Sequence, residues 1–286
     1  MDHSQSSLAI TTWAECQRHA PYRENVEHQQ SIGIVESLLL GSISAYEAAT
    51  SITKTYDPFA DQTGYGIIGV FWSIFSNATR MLAGDTVLAQ VLADFVIAMQ
   101  ALPDAVDTHG RTIALVGGAV YWRDLPGFGV AFREYGLYVD GPDDNDDDFI
   151  GYIAQTTLFV NATTFAAELL VRAPFEVHMD FYALNALMTA LRRDETVDST
   201  DERQAEVSLY LPAAARWIEI AGGSLYSLCQ RKSGEGQGGK RLSLGQWEYW
   251  KERFAIISES GGFSDDQKTL AKEAYEKMSA LEHIGP

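Results

Sequence analysis

Residues 221–241, AGGSLYSLCQRKSGEGQGGKR, gather the side chains best suited to hold an anion: Arg231, Lys232, Lys240 and Arg241 are threaded through glycines. The rest of the chain is acidic, with 39 Asp and Glu against 21 Lys and Arg and a formal net charge of −18. Glycine amides and cations that lead into a helix starting near Ser243 make a place where backbone donors and the helix dipole favour negative charge. A phosphate loop is nearly matched by Gly234, Gly239 and Lys240, but Arg241 stands where a Ser or Thr would ligate magnesium, and a helix rather than a strand precedes it. Nucleotide binding of that kind is not expected. Before the loop, Trp217, Ala221, Ser224, Leu228 and Lys232 recur at three- and four-residue steps and share one helical face. Two readings of Lys232 are open. It snorkels to water at a helix end, or it holds a diphosphate, helped by Arg231 and Lys240, at the mouth of a pocket walled by Leu228. The loop is likewise either a solvated connection or an anion site.

Acidic groups offer the complementary chemistry. The run DDNDD at 143–147 fits the DDxxD pattern by which prenyl-diphosphate enzymes hold magnesium, a hard cation that takes oxygen ligands. It follows Gly141 and Pro142, however, and a block of like charges is equally a solvated loop. Asn161, Thr164 and Glu168 share a helical face and resemble a second metal motif, one residue short in its first step. Asp180, between Met179 and Phe181, either begins a helix in solvent or joins Asn185 in supplying oxygens to the same cavity. Asn161, Glu168 and Asp180 are therefore the candidate magnesium ligands. His109, His178, His283 and Cys229 have no zinc spacing, and no serine sits in a nucleophile elbow.

These groups must be positioned by helices. Apolar residues recur at three- and four-residue steps, strand-like alternation is scarce, and the 286 residues are 46% hydrophobic. The expected fold is all-α: a single-domain helical bundle over 31–286 with an apolar central cavity, preceded by a partly irregular segment over 1–30. Ser44 with Glu47, Ser243 with Gln246 and Ser264 with Gln267 read as capping pairs, and Asp85 as a helix cap. The polar run RRDETVDSTDERQ reads as a flexible link, with a long helix starting at Pro212, a residue tolerated in a first turn. The six tryptophans read as core. Net acidity disfavours nucleic acid and anionic membrane surfaces. The uncharged runs at 62–79 and 149–167 carry too many polar residues for a membrane span. Two distant cysteines and an N-terminus without a basic start or long apolar run suit a cytoplasmic protein.

Five patterns, ISAYEAA, WRDLPGFGVAFREYG, FVNATTFAAELL, AAARWIEIAGGSLY and LSLGQWEYWKERF, the last followed by AYEKM, resemble in the same order a fungal all-helical family of mostly unknown function, from about residue 34 to 281. One branch of that family comprises unconventional class I sesquiterpene cyclases, the humulene synthases of tropolone sesquiterpenoid pathways. The resemblance implies a magnesium-dependent cyclase that takes farnesyl diphosphate to humulene or a related hydrocarbon. It also implies a late lysine that binds the diphosphate and an aliphatic residue one turn earlier that influences product geometry. Lys232 and Leu228 match that pair, with Trp217 and Ser224 on the same stripe. The alternatives are a non-catalytic helical interaction protein, or another secondary-metabolite-modifying enzyme of the same fold.

Overall fold

A computed structural model describes residues 3–21, 24–60, 66–107, 109–113, 120–137, 149–173, 178–192, 201–231 and 242–284. Among them the protein is all-α. The described residues form eleven α-helices with short helical turns at Asp57–Phe59 and Phe132–Gly136, and an isolated bridge joins Val106 and Thr112. The chain divides into two compact units, so the stretch expected as one domain contains parts of both.

Unit 1 comprises Met1–Asp148 and Thr157–Phe165. It contains α1 (His3–His19), α2 (Val26–Leu39), α3 (Ala45–Tyr56), α4 (Gly66–Leu82), α5 (Thr86–Gln100) and α6 (Phe128–Ala131), which continues as a wider turn to Gly136. Residues 1–30, expected to be partly irregular, are helical over α1, because Ile10, Trp13 and Ala14 fall on one face and are buried. That helix packs against α2 and α4. The core is aromatic: Phe71, Trp72 and Phe75 of α4 meet Phe95, Phe128 and Phe165 at ring separations of 5.0 to 6.3 Å. Polar edges of these rings are satisfied, since Trp72 Nε1 donates to the Pro126 carbonyl at 3.0 Å and Trp122 Nε1 to Asp57 at 2.8 Å.

Unit 2 comprises Phe149–Thr156 and Ala166–Pro286. Its helices are α8 (Asp180–Leu191), α9 (Asp201–Gln230), α10 (Leu244–Glu259) and α11 (Asp265–Ile284), while α7 (Phe149–Arg172) contributes residues to both units. Helix α9 packs against α8, α10 and α11. It begins at Asp201 and carries Pro212 inside it, which corrects the expected start at Pro212; of the expected link, residues 201–204 are helical and 193–200 lie outside the described residues. An interior proline costs about 3 kcal/mol, but Val207, Leu209 and Leu211 are buried ahead of it, and each such side chain recovers about 1.5–3 kcal/mol. A Cβ on Gly222 would lie 3.0 Å from Leu281 Cδ1, so the glycine lets α9 and α11 approach closely.

Local helix signals hold as expected. Ser44 and Glu47 cap each other's backbone at the start of α3, Asp85 accepts from the Val87 amide, and Ser243 accepts from the Gln246 amide. Ser264 and Gln267 form the reciprocal pair before α11.

Candidate functional site

Helix α9 carries Trp217, Ser224 and Leu228 among the residues singled out by chemistry, and the packing grades them. Trp217 is 1% exposed and Ala221 is fully buried, whereas Ser224 and Leu228 are half-buried. The buried face over these turns is Trp217, Ile218, Ala221, Leu225 and Cys229, so Ser224 and Leu228 lie at its edge rather than at its centre. Arg231 is exposed, and its amide closes the last turn on the Leu228 carbonyl at 3.4 Å. Lys232 and Lys240 lie outside the described residues, as does the aspartate run at 143–148. The burial that surrounds Cys229 pushes its thiol up to about 12, far from a thiolate nucleophile at neutral pH.

Helix α7 carries Asn161 and Glu168, two of the expected magnesium ligands. Asn161 Nδ2 donates to the Arg80 carbonyl at 3.0 Å, near the end of α4. Its Oδ1 faces Gly84, where a Cβ would sit only 2.4 Å away. The amide thus binds the α4–α5 turn on both sides, and Gly84 is required there by close approach. Thr164 is fully buried and donates to the Val160 carbonyl at 2.9 Å, within its own helix. Glu168 is 6% exposed and lies 3.6 Å from the Arg172 guanidinium, one turn on. Asn161 thus uses its amide nitrogen on the α4–α5 turn, and Glu168 sets one carboxylate oxygen toward Arg172. Asp180 is half-buried at the start of α8 and Asn185 is exposed. Among the described residues no three His, Cys, Asp or Glu side chains gather as a metal site requires.

Sequence reasoning missed a polar clamp at the end of α8. Arg253 is 9% exposed, and its Nε donates to the Leu191 carbonyl at 3.2 Å, the same oxygen that Tyr249 Oη reaches at 3.0 Å. A carbonyl at a helix C-terminus lacks an intrahelical partner and carries partial negative charge, so a buried guanidinium is stabilised there. The available signal was Arg253 three residues after Trp250 and next to Phe254, a cation set into an apolar face. Unit 2 also carries a groove between α8 and α10 that Asn185 lines. Trp217, Ser224, Leu228 and Arg231 are not among its lining residues.

No described helix is long and apolar enough to cross a membrane. No curated protein and no solved structure matches the chain. A family profile does match, over residues 72–254, from α4 into α10. That span is more than half of the 286 residues, and the chain belongs to the family described as "Protein of unknown function (DUF3632)".

Proposed function

We propose that this protein is a magnesium-dependent sesquiterpene cyclase that converts farnesyl diphosphate to humulene or a related hydrocarbon. The reading rests on the resemblance to the humulene synthases, and the end of α9 is the observation that carries it. An apolar face that is wholly buried at Trp217 and Ala221 comes to its edge at Leu228, one turn before Lys232 in the sequence. Lys232, with Arg231 and Lys240 near it in sequence, binds the diphosphate as it departs, and cations aimed at a leaving anion act where charge develops.

The C–O bond of the allylic ester breaks with its electron pair leaving on the diphosphate. An alkene of the same chain then closes the ring on the allylic cation, and loss of a proton yields the hydrocarbon. Apolar walls that include Leu228 fold the chain and keep water from quenching the cation. Magnesium enters through the resemblance. Asn161, Glu168 and Asp180 are its candidate ligands, and the aspartates of 143–148 are the densest source of oxygen ligands in the sequence.

Incubation of the purified protein with farnesyl diphosphate, followed by extraction and gas chromatography with mass detection, tests the reading. A hydrocarbon that appears with magnesium, disappears with a chelator and falls at least about a hundredfold in Lys232→Ala is the expected result. Absence of product with metal present leaves the non-catalytic helical interaction protein as the standing alternative.

A further inference from the structure

Unit 1 carries a groove between α2 and α3. Gly33, Ile34 and Ser37 line it from α2, Ser51 and Lys54 from α3, and Ile43 from the turn between them. Its volume is about 460 Å³, within the range of pockets that take small molecules. Gln30 and Thr55 line one end, where their chain neighbours fix the register of the two helices: Ser31 Oγ and Tyr56 Oη lie 3.0 Å apart. From Gln30 to Ser37 the groove follows about 10 Å of α2.

Gly33 is the feature that packing within the chain leaves unexplained. Glycine is among the poorest residues for a helix interior, yet Gly33 sits in the middle of α2. A Cβ there would meet nothing within 4 Å, whereas Gly84 and Gly222 each admit a neighbour from this chain. The notch opens instead onto the groove. The polar groups around it have a definite sense. Ser51 Oγ donates to the Glu47 carbonyl at 2.8 Å and Thr55 Oγ1 to the Ser51 carbonyl at 2.9 Å, so both hydroxyl protons are engaged and only lone pairs remain for a ligand. Among the described residues the side chains of Gln30, Ser37 and Lys54 make no hydrogen bond or ion pair. Lys54 is the charged residue among the eight that line the groove, and none of them is acidic. Of the acids on the two helices, Glu36 pairs with Arg18, Glu47 receives the Ser44 amide and hydroxyl, and Glu27 does not line the groove.

We propose that this groove binds a sugar acid, a polyhydroxylated ligand with one carboxylate, its carboxylate at Lys54 and its hydroxyls on Ser51, Thr55 and Gln30. The two engaged hydroxyls call for a ligand that donates, while the ammonium calls for one that accepts and carries negative charge. A bare anion meets only the second demand, and a hydrocarbon meets neither. The C–H face of a sugar ring packs on Ile34 and Ile43 in the space that Gly33 leaves open. A second copy of the chain would bring a further charge of −18 to the same surface. The groove contains none of the residues assigned to the cyclase reading and stands without them.

Titration of the whole isotope-labelled protein with glucuronate, followed by nuclear magnetic resonance, tests the proposal, with glucose as the uncharged analogue and acetate as the bare carboxylate. The expected result is saturable one-to-one binding of glucuronate that Lys54→Gln weakens by about tenfold or more, while the weaker binding of glucose is unchanged by that substitution. Gly33→Leu, which fills the notch, should abolish binding of both sugars without lowering the melting temperature, because its side chain enters open space. The proposal is overturned if glucuronate gives no saturable shift, if Lys54→Gln weakens both sugars equally, or if acetate binds as tightly as glucuronate. A melting temperature that falls in Gly33→Leu would overturn it too, by showing that the chain itself needs the notch. Dimerisation that Gly33→Leu abolishes, without glucuronate binding, would assign the groove to a second copy instead.

Discussion

Asn161 shows how one side chain can carry two readings that chemistry separates. As a magnesium ligand it would tolerate an aspartate, which offers the same oxygen with more charge. As the amide that grips the Arg80 carbonyl it must donate, and aspartate cannot. Asn161→Asp is therefore expected to destabilise unit 1 by about 1–3 kcal/mol, through an unpaired carbonyl and a partly buried charge beside it. Urea denaturation monitored by circular dichroism measures this, and an unchanged midpoint would favour the ligand role.

The two cysteines make a second residue-scale test. Cys16 is exposed and Cys229 is buried, with its thiol raised from 9.0 to about 12. The folded chain keeps a proton on Cys229 that the unfolded chain gives up. This contribution to stability is complete below about pH 9 and falls away as the pH rises toward 12. At pH 8 iodoacetamide should modify Cys16 well ahead of Cys229, as read by mass spectrometry of the intact protein. Neither the thiol's burial nor the grip of Asn161 is legible from neighbouring residues in the chain, because both depend on partners distant in sequence.

Helix α9 carries the argument at the scale of elements. Its first four residues, DERQ, read as the end of a polar link, and Pro212 signals a helix start. The helix nevertheless runs from Asp201 through the proline, with Val207, Leu209 and Leu211 buried ahead of it. If burial rather than propensity holds this half, Leu211→Ala should cost about 2–4 kcal/mol, measured by thermal and urea unfolding. Helix starts elsewhere were readable because a cap is local: Ser44 and Glu47 lie within four residues, and each satisfies the other's backbone. The same distinction explains the clamp on α8. A buried arginine at an apolar position marks something unusual, but which carbonyl it reaches follows only from how α10 packs.

The acidity of the whole molecule has consequences of its own. A net charge of −18 destabilises the compact state by self-repulsion and keeps polyanions away. Raising sodium chloride from about 20 to about 200 mM, which shortens the screening length about threefold, should raise the melting temperature by several degrees. A melting temperature that falls or stays level would mean that specific ion pairs outweigh the general repulsion. Arg18 with Glu36 and Lys251 with Glu282 are the strongest candidates for such pairs.

Composition and periodicity alone determined that this is an all-helical protein, where four of its helices are capped, and that all six tryptophans are core, because those outcomes follow from interactions within a few residues or from the average cost of exposing apolar surface. Tertiary structure alone decided that Asn161 grips the α4–α5 turn, that α9 continues back past its proline, and that α8 and α10 leave a groove between them. Each depends on side chains brought together from distant parts of the chain, and a linear pattern shows which residues face inward without showing which of them meet.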